Sequence, residues 1–127
     1  MVRAGNEKVG NKDMLLLVKE STAIDEAKMV AIDSDGYAVE ASKVTGLFVA
    51  GCCMEYADNR NGKSGDVSVH VRRGCFVWNN DGSIHKTDIL KDCYVSDSNT
   101  VTISSEGSSV AGKIIGVEDD GVVVNMI

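Results

Sequence analysis

The C-terminal stretch KIIGVEDDGVVVNMI, Lys113 to Ile127, decides the fold class of this chain. Two runs rich in Ile and Val, Lys113–Val117 and Val122–Ile127, flank an acidic segment that ends in Asp120-Gly121. Asp tolerates and Gly prefers the positive φ that a tight primed turn demands, so the stretch reads as a β-hairpin. Val122-Val123-Val124 is apolar on both faces of its strand, which predicts a central position or cover from a partner chain.

The same punctuation recurs upstream. Asp81-Gly82 is predicted to join Cys75–Trp78 to Ser83–His85, and Asp35-Gly36 to pair Lys28–Asp33 with Tyr37–Ala41. Asn61-Gly62 adds a fourth turn signal. Val67, Val69 and Val71 line one face of a strand, with Ser68, His70 and Arg72 on the other. Val101 and Ile103 alternate with Thr100, Thr102 and Ser104 in the same way. Composition agrees, because 18 Val and 8 Ile stand against 5 Leu with no Pro. β-Branched side chains fit a pleated surface and lose χ1 freedom in a helix.

A chain of 127 residues that is 43% hydrophobic supports one domain with one core. The expected fold is all-β, a small β-barrel or β-sandwich built from hairpins, with at most one short helix. The best local helix signal is Ser21–Glu26, where Ser21 or Thr22 caps and Asp25-Glu26 fill the first turn, and the segment reads as one or two helical turns or simply as a loop. Residues 1–22 are expected to form an extended N-terminal arm and anchor, and residues 23–127 the β domain. Met1 to Asp13 is polar and patternless. Met14 to Val18 is apolar, and reads as an edge strand or as an anchor that docks on a partner. The polar, Gly-rich stretch Asp58–Asp66 reads as an exposed loop, either a plain solvated connection or a partner contact.

Charge and chemistry narrow the function classes. A net charge of −6 repels phosphate backbones, and Arg72-Arg73 has no interleaved aromatics, so no nucleic-acid partner is expected. Met14–Val18 is too short for a signal segment or a membrane span, so no membrane partner is expected. Cys52, Cys53, Cys75 and Cys93 read as reduced, buried thiols. On a strand, Cys52 and Cys53 point to opposite faces and do not share a metal. His70 lies on a polar strand face and His85 follows a turn, neither within a nucleophile signature. There is no C-x-x-C and no H-E-x-x-H. Asp33-Ser34-Asp35-Gly36 resembles the start of a calcium loop but lacks the later acidic ligands. No catalysis, metal or cofactor is therefore expected. The alternative class is a small carrier or ligand-binding β domain, since Glu26-Ala27-Lys28-Met29 is similar to the Lys-Met of biotinyl and lipoyl carriers. Those carriers present the Lys at a hairpin tip, whereas Lys28 begins a predicted strand.

The order of elements from Ala27 to Ile127 carries a resemblance. It runs Gly46-Leu47-Phe48-Val49-Ala50-Gly51, the Asp58–Gly65 loop, then Val67-Ser68-Val69-His70-Val71-Arg72-Arg73-Gly74-Cys75-Phe76. Asp92-Cys93-Tyr94-Val95 with Asp97 and Val101-Thr102 follows, and the closing hairpin Val110 to Val124 ends it. This resembles the capsid decoration, or cement, proteins of tailed bacteriophages and prophages. Val123 stands where that family typically has a Trp or another hydrophobic residue, and the arm before Asp13 matches no family pattern. The resemblance implies a non-enzymatic protein on the capsid exterior of the virion, made in the host cytoplasm during assembly. Its implied partners are the assembled shell of major capsid protein and copies of itself, as a trimer or other small oligomer. The candidate contact residues are Arg3, Lys8 and Lys12 for charge, Met14, Leu15, Leu16 and Leu17 for hydrophobic anchoring, and Asn59, Arg60, Asn61 and Lys63 for surface recognition.

Overall fold

In the computed structural model, which describes residues 12–127, the chain is built almost wholly from strands. In chain order they are β1 (Asp13–Leu17), β2 (Thr22–Ile24), β3 (Met29–Ile32), β4 (Ala38–Glu40), β5 (Phe48–Cys53) and β6 (Ala57–Asn59). Then come β7 (Ser68–Arg72), β8 (Cys75–Asn80), β9 (Asp92–Asp97), β10 (Thr100–Thr102), β11 (Val110–Glu118) and β12 (Gly121–Asn125). A single 3-10 turn, Lys86–Asp88, is the helical element among the described residues.

The C-terminal hairpin forms, but its turn is Asp119-Asp120: Gly121 already stands in β12 opposite Glu118, and it must be glycine because a Cβ there would run into the Trp78 carbonyl of β8. Because β12 is apolar on both faces, it lies in the middle of a sheet, antiparallel to both β11 and β8. The sheet closes on itself as a barrel in the order β10-β8-β12-β11-β9, with β10 returning to β8 in parallel. Val122 and Val124 are fully buried, and Trp78 joins them with its indole N–H directed at the Met126 sulfur.

A second, five-stranded sheet runs β1-β7-β5-β3-β4. Its β3–β4 hairpin turns where Asp33 Oδ1 accepts the backbone N–H groups of Asp35 and Tyr37, at 3.0 and 3.1 Å. The alternation of β7 buries Val69 and Val71 as its sequence requires. Just past β1, Val18 bridges to Ala38 of β4, bringing the two edges of this sheet together. A two-stranded ribbon of β2 and β6 completes the molecule.

Where length suggests one core, the chain builds two. Met29, Ala31 and Cys52 pack with the barrel interior around Trp78, Val95 and Ile114. Val30, Ala50 and Cys53 pack on the opposite side with Val18, Ile24, Val69 and Val71. Successive side chains of a strand leave opposite faces, so β3 and β5 serve both cores at once. Cys52 and Cys53 illustrate this, one thiol in each core.

Several local expectations are corrected. Ser21–Glu26 is not a helix: Thr22–Ile24 is a strand paired with Ala57–Asn59. Ser21 and Ala27, at φ 56° and 68°, turn the chain sharply at either end, and Ile24 is fully buried. The hairpin of Cys75–Trp78 with Ser83–His85 does not form. Asn80 supplies the polar partners a strand would have given, accepting from Gly82 N at 2.8 Å and donating to Ile84 O at 2.9 Å. Residues 83–85 thereby become a pad that buries Ile84. The boundary at residue 22 does not separate an arm from the body, because Asp13–Leu17 is hydrogen-bonded into the sheet. Cys75 is exposed, unlike the other thiols.

Candidate interaction surface

The two patches singled out in the sequence, Met14–Leu17 and Asn59–Lys63, are brought together by one side chain. Asn59 is 2% exposed and closes β6. Its amide nitrogen donates to the carbonyls of Val18, Lys19 and Lys63 at 3.1, 3.0 and 2.9 Å. The loop after β6 is thus fastened to the exit of β1. Gly65 N also donates to Val18 O at 2.9 Å. This assigns Asn59 a buried structural role, correcting its place among the surface-recognition residues. Gly62 is required at its position, since a Cβ there would run into the Asn59 side-chain oxygen.

The surface held this way is the outer side of β1 ahead of the Val18–Ala38 bridge, where that strand is the edge of the five-stranded sheet. Val18 N donates to Val67 O and Arg73 N to Lys12 O, which sets the hydrogen-bonding phase of the β1–β7 ladder. Antiparallel pairing alternates, so the backbone groups of Asp13, Leu15 and Leu17 point away from β7. β1 is the terminal strand of this sheet among the described residues. Leu15 is 76% exposed and Leu17 50%, while Met14 and Leu16 are half-buried on the opposite face. Edge strands are ordinarily guarded by lysine, proline or a bulge. This one presents leucine.

Charges frame that edge. The Asp13 carboxylate lies 2.8 Å from His70 Nε2 and 2.9 Å from Arg72 Nε. Hydrogen bonding by His70 first, and by Arg72 second, holds the Asp13 carboxyl below its ordinary range. In the loop, Arg60 grips Asp58 through Nε and Nη2, both at 2.9 Å. That contact, with the Arg60 backbone N–H, draws the Asp58 carboxyl down to about 2. Arg60 is therefore committed to Asp58, whereas Lys12, Asn61 and Lys63 are exposed. Arg3 and Lys8 lie outside the described residues.

A second apolar patch was missed in the sequence. Phe48 at the start of β5 is 72% exposed, and Val110 at the start of β11 is 47% exposed. With Tyr94 and Ser108 they line a shallow depression where the sheet meets the barrel. Ser109 steadies this corner by donating to Val44 O at 2.7 Å and accepting from Leu47 N at 3.0 Å. Phe48 stood in plain view within Gly46–Gly51, but its outward direction depends on a register shift between β3 and β5.

Chemistry elsewhere is sparse. Arg72 is engaged by Asp13, and Arg73 donates to Met126 O at 3.1 Å. Burial pushes the Cys93 thiol up to about 12, and raises the Cys52 and Cys53 thiols as well. Lys28 does not occupy a hairpin tip. It directly precedes β3, half-buried, and its Nζ donates to the side-chain oxygen of Asn99. Among the described residues, no group of three or more His, Cys, Asp or Glu side chains is placed to hold a metal ion. Comparison with protein-family models, with curated proteins and with solved structures found no match.

Proposed function

We propose that the chain is a decoration protein of a tailed-phage or prophage capsid, binding the assembled shell of major capsid protein and stabilising it without catalysis. The order of strands and turns from Ala27 to Ile127 suggested this class. The observation that carries the reading is the unguarded edge strand β1, with Leu15 and Leu17 turned outward and its exit pinned to the Asn59–Lys63 loop. A clamp works through a rigid, partly apolar exterior, and needs no enclosed pocket. The Phe48–Val110 patch offers a second contact at a separate place, and two modest contacts on one rigid body gain avidity through effective concentration. Self-association on the shell and a position on the virion exterior belong to the same proposal.

The test is co-sedimentation of the purified chain with assembled tailed-phage shells. Burying an exposed leucine contributes about 1.5–3 kcal/mol, so Leu15→Ser with Leu17→Ser weakens retention by about 100-fold or more. Both side chains lie on the solvent face, so thermal melting of the variant stays close to that of the parent. Failure of the parent chain to sediment with any shell, or equal retention of the variant, overturns the reading.

A further inference from the structure

Lys28 is half-buried, yet among the described residues its ammonium forms no ion pair with a carboxylate, in a chain of net charge −6. It meets instead the side-chain carbonyl of Asn99, which lies 71 residues away in sequence. Both stems are fixed. Met29 N donates to Ser98 O at 2.8 Å, tying the two backbones together one residue from each side chain. Lys28 O accepts from Cys53 N at 2.8 Å, and Asn99 O from Asn79 N at 2.9 Å. Asn99 N donates to the Asp97 carboxylate at 2.8 Å.

An amine and a carboxamide held in this way react as one molecule, at effective concentrations far above any reached in solution. We infer that Lys28 and Asn99 are placed to form an intramolecular isopeptide bond. The neutral Nζ adds to Cγ of Asn99 and forms the new C–N bond. The Cγ–Nδ2 bond then breaks, and nitrogen leaves as ammonia with a proton passed from Nζ. The starting ammonium gives its proton to water before the attack, which leaves the neutral amine that adds to Cγ. No oxidant, metal or second substrate enters the balance. The product is a covalent tie between the start of β3 in the sheet and the β9–β10 turn of the barrel, independent of what the exterior binds.

Intact mass of the full-length chain under denaturing conditions tests this. The expected mass is lower than the sequence mass by one ammonia. Trypsin should leave Lys28 uncleaved and release one branched peptide joining residues 20–43 to residues 92–113. Lys28→Arg and Asn99→Ala should each restore the sequence mass. A parent chain at full sequence mass with Lys28 cleaved overturns the inference, whether or not the variants fold. So does an ammonia loss that maps to Asn61-Gly62, where succinimide formation gives the same mass change.

Discussion

Replacing Asn59 by alanine removes the fastener between β1 and the loop. The amide carries two protons shared among the carbonyls of Val18, Lys19 and Lys63, each within 3.1 Å. Each hydrogen bond lost contributes about 1 kcal/mol net, which sets the direct cost near 2 kcal/mol. Two terms modify it. Val18 O and Lys63 O retain other donors, Gly65 N and Asp66 N, so only Lys19 O loses its sole partner. The Asn59 side-chain oxygen is buried without a partner, and its removal returns part of the loss. Asn59→Ala should therefore destabilise by about 2 kcal/mol, lowering the melting temperature by about 7 °C for a chain of this size. Asn59→Asp should cost more, because it sets a carboxylate against carbonyl oxygens with no proton to offer. Gly62→Ala, damaging in the parent, should be better tolerated beside Asn59→Ala, since the oxygen its Cβ would strike is gone. Urea unfolding followed by Trp78 fluorescence and hydrogen exchange at the Gly65 amide measure these effects. A loss below about 0.5 kcal/mol for Asn59→Ala, or an Asp variant as stable as the Ala variant, refutes the reasoning.

Two further outcomes follow from thiols and carboxylates. In the native chain, a thiol reagent at neutral pH should titrate Cys75 alone, and after denaturation all 4 cysteines; rapid native labelling of Cys93 would contradict the burial that pushes its thiol up to about 12. Asp13 is held below its ordinary value in the folded chain, so its contribution is present above that value and is lost as pH falls through the lower folded one. Carboxyl NMR titration should place Asp13 below the ordinary aspartate range, and His70→Ala should move it back up. Amide exchange along β1 should quicken at the acid end of the same titration.

Much of the fold could be read from local chemistry. Asp35-Gly36 marks a hairpin because its backbone needs are met within a few residues, Asp120-Gly121 marks the next one although Gly121 answers to the remote Trp78 carbonyl, and Val69 and Val71 choose their face by alternation alone. The failures share one cause, which is that the deciding partner is remote. Thr22–Ile24 has capping residues suited to a helix, but β6 claims it from more than thirty positions away. Cys75–Asn80 has a turn beside it, yet its partners are β12 and β10. The candidate surface was half legible. Met14–Leu17 and the loop after β6 stand out by composition, whereas the Asn59 contacts that unite them, and the outward turn of Phe48, exist only once the strands have found their register.

The alternation of β3 and β5 makes those two strands a party wall. Val30 and Cys53 belong to one room, Met29 and Cys52 to the other, and a shift of either strand by one residue would exchange the occupants of both. Neither half can be dismantled while the other stands, so the molecule meets a pull on its rim as a single block.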